Sequence, residues 1–323
     1  MKTRLTELLA IEHPVMLAGM GGVSYARLTA AVSEAGGYGC LGASTMSSSQ
    51  MVNEIAAVRD MTQKRFGVDL LTAFPADLER NVELLIEGGA SAFVAGLGVP
   101  SPVIELCHRH GVLVLSMCGK VEHARRARAA GCDVVIAQGT EAGGHTGAVA
   151  TMPLVPLIVD AMDGEIPVVA AGGIFDGRGL AAALALGADG VWVGTRFIAT
   201  PEARAVSGFK EGIIASAEDA TVISRAYTGK SMRVLRNETT ERYEKDPSQL
   251  RAFPDQLTVA LAEGTFHLGG DEATLGVDAR REGYPAGQAV GAITSLIPAG
   301  EIVHAMVHDA ERIIERLGAL GDG

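Results

Sequence analysis

The chain has 323 residues, of which 48% are hydrophobic but only 4% aromatic. That is enough aliphatic material for one large core plus an appendage, and it excludes a disordered chain. A net charge of −11 with no polybasic stretch excludes nucleic acid and anionic membrane as partners.

The opening MKTRLTELLAIEHPVM has a short apolar segment interrupted by Glu7, Glu12 and His13, and is not expected to be a signal peptide. No run approaches the ~18 apolar residues of a membrane-spanning helix. Cys40, Cys107, Cys118 and Cys132 lie in or beside apolar runs without CxxC or ligand spacing, so they read as reduced core residues of a cytoplasmic protein. No His, Cys and carboxylate set has metal-ligand spacing. His13, His108, His110, His123, His267, His304 and His308 read as surface or capping residues.

In chain order, apolar runs at 14–20, 36–43, 65–71, 91–97, 111–117, 132–139, 166–173 and 189–195 are the predicted strands. They are nearly continuous rather than alternating, as in a parallel sheet covered on both faces. Helices are predicted between them at 25–35, 49–61, 76–87, 100–110, 120–130, 152–162 and 177–186, several with an apolar stripe and several ending at glycine. Eight alternations point to an α/β fold of the TIM (β/α)8 barrel class. Residues 201–283 are more charged and less regular and predict a smaller, mostly helical lid or substrate domain. Residues 284–323 are expected to return to the barrel formed by 1–200.

Residues that act in such a barrel lie just past the strand ends. After the sixth strand comes Gln138-Gly139-Thr140-Glu141-Ala142-Gly143-Gly144-His145-Thr146-Gly147. Four glycines in ten residues let the backbone lie flat against a planar ligand, and His145 at the tip can act as acid, base or donor near neutral pH. The plain alternative is a structural histidine in a glycine-rich turn; the strand-end position and Gln138 favour chemistry. Gly172 and Gly173 after the seventh strand, and Val193, Gly194 and Thr195 at the eighth, stand where this fold holds phosphate. Asp176 reads as a helix cap. Gly19 and Met20 end the first strand, where Met is either core or a ring contact. Asp69 ends the third and reads as a mouth residue rather than a buried charge. Arg233 and Arg236 could meet an anionic substrate or nicotinamide phosphate, but read rather as exposed arginines on a solvated helix. GxSxG, Walker and strand–GxGxxG motifs are absent, which weighs against hydrolase, NTPase and Rossmann readings.

The segments QGTEAGGHTG, AAGGIFDGRGLAAALALGADGVWVGTRF and YPAGQAVG resemble the nitronate monooxygenase family, formerly 2-nitropropane dioxygenases. That family includes flavin-dependent enoyl-ACP reductases and NADH:quinone reductases. The resemblance covers nearly the whole chain and implies FMN. Its phosphate would sit on Gly172, Gly173, Gly194 and Thr195. Met20, Gln138 and Gly143, with the adjoining Gly19 and Gly144, would line the flavin, Gln288 would close from the C-terminal helix, and His145 would face the substrate. The chain departs from the pattern in two places. Leu17 and Ala18 stand where a Gln is common, and Gly67-Val68-Asp69 stands in place of Gly-Val-Asn. An ionised Asp69 beside a flavin would disfavour an anionic reduced ring unless it is protonated or turned away.

The expected reaction is oxidation of alkyl nitronates with O2. The alternative is NAD(P)H-dependent reduction of enoyl thioesters or quinones, which SRAYTGKSMRVLRNETTERYE favours. A third reading is a non-redox barrel holding a phosphorylated ligand. The partner is a small molecule in each case, and the sequence is compatible with a homodimer.

Overall fold

The structure is a computed structural model that describes residues 1–72, 77–96, 98, 101–267 and 269–320. The expected helix starts at 76 and 100 and the strand end at 97 lie outside the described residues.

Among the described residues, eight parallel strands form one sheet: β1 (Val15–Leu17), β2 (Gly39–Gly42), β3 (Phe66–Leu71), β4 (Ala92–Gly96), β5 (Leu113–Cys118), β6 (Val134–Gln138), β8 (Val168–Ala171) and β9 (Gly190–Val193). Seven of the eight predicted runs hold one of them whole, and β5 runs one residue past its run, to Cys118. The sheet closes between its first and last members. The Leu17 N–H donates to Tyr38 O and the Tyr38 N–H to Val15 O, each at 2.9 Å. The result is a TIM barrel.

Each strand alternates faces, although its composition does not. On β3, Phe66, Val68 and Leu70 pack under the helices, which turns Gly67 and Asp69 to the interior. Met16, Tyr38, Cys40, Val94, Ile136, Val169 and Trp192 fill that interior. Its floor is α1 (Arg4–Leu9), capped by a Thr3–Thr6 capping box, which sends the fully buried Leu5 and Leu9 into the same cluster.

The surrounding helices are α2 (Ala26–Glu34), α3 (Ser48–Met61), α4 (Leu78–Glu87), α5 (Ser101–Arg109), α6 (Val121–Ala130), α7 (Thr151–Met162) and α8 (Gly177–Ala185). Asp176 is the N-cap of α8, accepting the Arg178 and Gly179 N–H groups. After β9 only the short α9 (Thr195–Ile198) follows. The eighth outer helix comes from the end of the chain instead: α13 (Ala299–Gly318) packs against both α8 and α2.

Between them, residues 201–283 carry α10 (Phe209–Ile214), α11 (Glu238–Lys245) and α12 (Asp255–Ala262). They also carry an antiparallel pair, β10 (Thr221–Ser224) and β11 (Met232–Leu235), which the charged composition concealed. This segment has its own small core of Tyr227, Met232, Val234, Tyr243, Ala260 and Phe266. Among the described residues no helix is long and apolar enough to cross a membrane.

The α1 floor has a measurable consequence. Leu5→Ala removes a fully buried side chain with little able to collapse into its place. A loss of about 2–5 kcal/mol in unfolding free energy is expected by urea titration, with unchanged far-UV circular dichroism in the folded baseline.

Candidate active site

Barrel closure gathers the carboxyl ends of the strands around one cavity of about 810 Å³, within the range typical of ligand sites. Of the residues singled out in the sequence, Gly19, Met20, Asp69, Gln138, Gly143, Gly144, His145, Gly172, Gly173, Gly194 and Thr195 all line it. Two do not. Val193 is buried on the helix side of β9, and its carbonyl accepts the Ala18 N–H at 2.9 Å. Gln288 lies in a short 3-10 turn, Gln288–Ala292, not in the C-terminal helix. Its side chain is exposed, while its neighbours Gly287 and Ala289 line the cavity.

The glycine end of the cavity is open to an anion. Gly172 and Gly173 hold φ of 105° and 71°, which side-chain-bearing residues rarely adopt. A Cβ on Gly172 would meet Thr151 Oγ1 at 2.7 Å and Gly139 O at 3.0 Å. Among the described residues neither N–H has a backbone acceptor, so both are free donors. Thr195 Oγ1 accepts the Gly287 N–H at 2.9 Å, which leaves its own proton to give. These groups can hold a phosphate.

The histidine loop is held by a second sheet. Gly144–His145 forms a two-residue strand, β7, paired antiparallel with β11, His145 opposite Met232 and Gly144 opposite Arg233. Gln138 Nε2 donates to His145 O at 3.2 Å. Arg233 is buried on β11 rather than exposed on a helix, and its Nε donates to Thr140 O at 2.9 Å. Arg236 is on no helix either; it pairs with Glu244 at the surface.

His145 Nε2 is hydrogen-bonded to Thr228 Oγ1 at 2.9 Å, and its Nδ1 has no partner among the described residues. Burial, then the nearby Lys230 ammonium, push its pKa down to about 4. The ring is therefore neutral at working pH and can accept a proton or share one.

Asp69 lines the cavity, as a mouth residue would, but is more deeply buried than its place at a strand end suggested. It lies within β3, 5% exposed, and burial pushes its carboxyl pKa up to about 8.

Other lining residues gave no sequence signal. Thr228, Lys230, Ser231, Phe209 and Phe266 come from the 201–283 segment, and His123 and Arg126 from the start of α6. No strand end or glycine cluster marks them. His267, read as surface or capping, instead holds the buried Glu282, bonding one carboxylate oxygen through its N–H and the other through Nδ1, each at 2.7 Å. All four cysteines are buried, and burial pushes Cys107, Cys118 and Cys132 up to about 12, which makes them poor nucleophiles.

A family model described as nitronate monooxygenase matches residues 2–309. The chain belongs to the nitronate monooxygenase family. A relative from Mycobacterium tuberculosis, named (3aS,4S,5R,7aS)-5-hydroxy-7a-methyl-1-oxo-octahydro-1H-indene-4-carboxyl-CoA dehydrogenase, is 43% identical over 258 residues, 80% of this chain and 72% of that one. A probable nitronate monooxygenase of Staphylococcus saprophyticus is 34% identical, covering 85% of this chain and 90% of that one. Among solved structures, FabK from Thermotoga maritima superposes with a TM-score of 0.88 at 33% identity, over 99% of each chain. The protein is an oxidoreductase of this family.

The protonation of His145 is directly measurable. Its ring resonances should stay at their neutral positions from pH 8 to pH 5 and move only as pH approaches about 4. The folded pKa lies below the unfolded one, so the unfolded state takes the proton first. The associated stability is present above pH ~6.5 and is lost as pH falls from there towards 4. Titration of the ring near 6.5 in the folded protein would overturn this assignment.

Proposed function

We propose that the chain is an FMN-dependent oxidoreductase that acts at the α and β carbons of an acyl thioester, with His145 handling the α proton. The observation that carries this reading is the meeting of two features in one cavity: the open donors of Gly172, Gly173 and Thr195, and a neutral His145 with a free Nδ1. The first suits the phosphate of FMN. The turn that presents these donors requires glycine, because a Cβ on Gly172 would press against Thr151 and the Gly139 carbonyl. FMN bound there would supply the hydride acceptor or donor for the carbon chain.

The chain's own residues would do the rest. His145 would take the α proton into Nδ1 during desaturation, or return it during reduction. Thr228 would hold the ring at Nε2, and Arg233 and Gln138 would keep the loop in place. The substrate class follows from the rim. Arg126, ion-paired with Glu122, and Lys230 line the cavity on a protein of net charge −11, and Lys230 is the cation that could meet the phosphates of a thioester, a group a small nitronate lacks. The relative named as a carboxyl-CoA dehydrogenase supports the same class. Nitronate oxidation is the second reading, supported by the family description. A neutral His145 would serve it equally well.

Purified protein is expected to be yellow and to release FMN on denaturation; a colourless preparation with a different phosphorylated ligand would sink the flavin reading. Under anaerobic conditions an acyl-CoA or NAD(P)H should bleach the flavin faster than an alkyl nitronate does, and an enoyl-CoA should then restore its colour; faster bleaching by the nitronate would favour the monooxygenase. His145→Ala should keep FMN and lose about 10²–10⁴ in kcat. Gly172→Ala would press its Cβ against Thr151 and the Gly139 carbonyl at a left-handed φ, so it should lose stability by urea titration as well as FMN binding by fluorescence quenching.

A further inference from the structure

The turn between β10 and β11 carries Thr228, whose hydroxyl meets the His145 ring. The turn is held by its own backbone. The Gly229 N–H donates to Arg225 O at 2.9 Å, and Arg225 Nε donates to Gly229 O at 2.8 Å. Gly229 takes a φ of 82°, which a side chain would strain. On the other side, β11 pairs with β7 so that Met232 lies opposite His145. Thr228 is therefore fixed relative to the ring, and it is 4% exposed.

A threonine hydroxyl has one proton to give and two lone pairs to receive with. The Lys230 N–H donates to Thr228 Oγ1 at 3.3 Å, which occupies one lone pair. His145 Nε2 stands at 2.9 Å. Two acceptors lie within reach of the hydroxyl proton, Lys230 O at 3.4 Å and Met232 Sδ at 3.9 Å. Two arrangements follow. If the hydroxyl donates to Nε2, the ring proton sits on Nδ1. No acceptor meets it there among the described residues once a substrate has displaced water, and the N–H is turned to a cavity that also holds the Lys230 ammonium. If Nε2–H donates to Oγ1 instead, the hydroxyl gives its proton to Lys230 O or Met232 Sδ, and every donor is met. Nδ1 then offers a lone pair to the cavity, which is the arrangement a neighbouring cation favours. Lys230 is close enough to act on the ring by charge, and its ammonium is held 4.3 Å from the Phe253 ring centre.

We propose that Thr228 is a positioning residue that keeps the ring proton of His145 on Nε2, so that Nδ1 enters the reaction as a lone pair and the resting site accepts an α proton instead of giving one. The proposal rests on the acyl-thioester reading above and adds a direction to it. In the step itself the Cα–H bond breaks, its proton goes to Nδ1, and its electron pair stays on the thioester as an enolate. The ring becomes a cation with two N–H groups, and Thr228 Oγ1 is already in place to accept one of them. A residue that only filled space beside the ring would leave both tautomers open.

Long-range proton–nitrogen correlation spectra of the full-length protein at pH 7 read the ring directly, with His145 identified by the signals lost in His145→Asn. The wild type should show a protonated Nε2 and a bare Nδ1. Thr228→Val keeps the shape without the hydroxyl and should show a mixture of tautomers; Thr228→Ser should return the wild-type pattern. The chemical readout is exchange of the α hydrogens of phenylacetyl-CoA in heavy water, because this thioester has no β hydrogen to lose and reports proton transfer alone. Thr228→Val should lose about 10²-fold in kcat for exchange with KM little changed, and Thr228→Ser should recover most of it. A protonated Nδ1 in the wild type overturns the proposal, and so does a Thr228→Val protein with the wild-type tautomer or an unchanged kcat. If the wild type exchanges no α hydrogen, the acyl-thioester reading and the direction fail together, while the tautomers of wild type and Thr228→Val still decide whether Thr228 sets the ring. Should Thr228→Val not fold, the wild-type spectrum decides alone: protonated Nε2 supports the proposal and protonated Nδ1 overturns it.

Discussion

The two hydrogen bonds that Tyr38 makes to β1 are the constraint on which the site depends. An open parallel sheet of eight strands would spread its carboxyl ends along a line. Closure wraps them into a ring, so that loops far apart in sequence face one another across a single cavity. The same closure removes the sheet edges and creates an interior that must be filled. Met16, Ile136 and Trp192 fill its middle and Leu5 and Leu9 its floor. The upper layer is left to smaller or polar residues, and the cavity begins there.

Closure alone does not position His145. The loop after β6 is rich in glycine and would be costly to order by itself. Pairing of β7 with β11 ties it to the 201–283 segment, and the buried Arg233 reaches back from β11 to the Thr140 carbonyl. The segment therefore supplies the second wall of the cavity and also stiffens the loop that carries the histidine. Thr228 completes the arrangement from the same segment.

Burial then sets the electrostatics. The two titratable groups deepest in the cavity, His145 and Asp69, are both driven towards their neutral forms by loss of water. Among the lining residues the positive charges are Arg126, paired with Glu122, and Lys230. A ligand with an uncharged planar body and an anionic tail at the glycine cradle matches such a cavity, and so does a second ligand whose anionic end reaches Lys230.

Much of this was legible in the chain itself. Continuous apolar runs separated by helical stripes and glycines are the local signature of strands buried on both faces, so eight strands could be placed and the glycine clusters assigned to their ends. Local chemistry also marked Asp176 as a cap and the cysteines as core. Other features depended on contacts between distant segments and carry no local signal. These include α13 filling the eighth helix position between α8 and α2, the antiparallel partner of the His145 loop, and the burial of Arg233 inside a charged stretch. Gln288 and Asp69 make the same point in opposite directions: the first lies in a conspicuous motif yet faces solvent, and the second lines the cavity as expected but is almost wholly withdrawn from water. Sequence sets which residues can bury their side chains and where the backbone can turn. Which face a residue presents, and whether its charge survives there, is decided only when the sheet closes and excludes water.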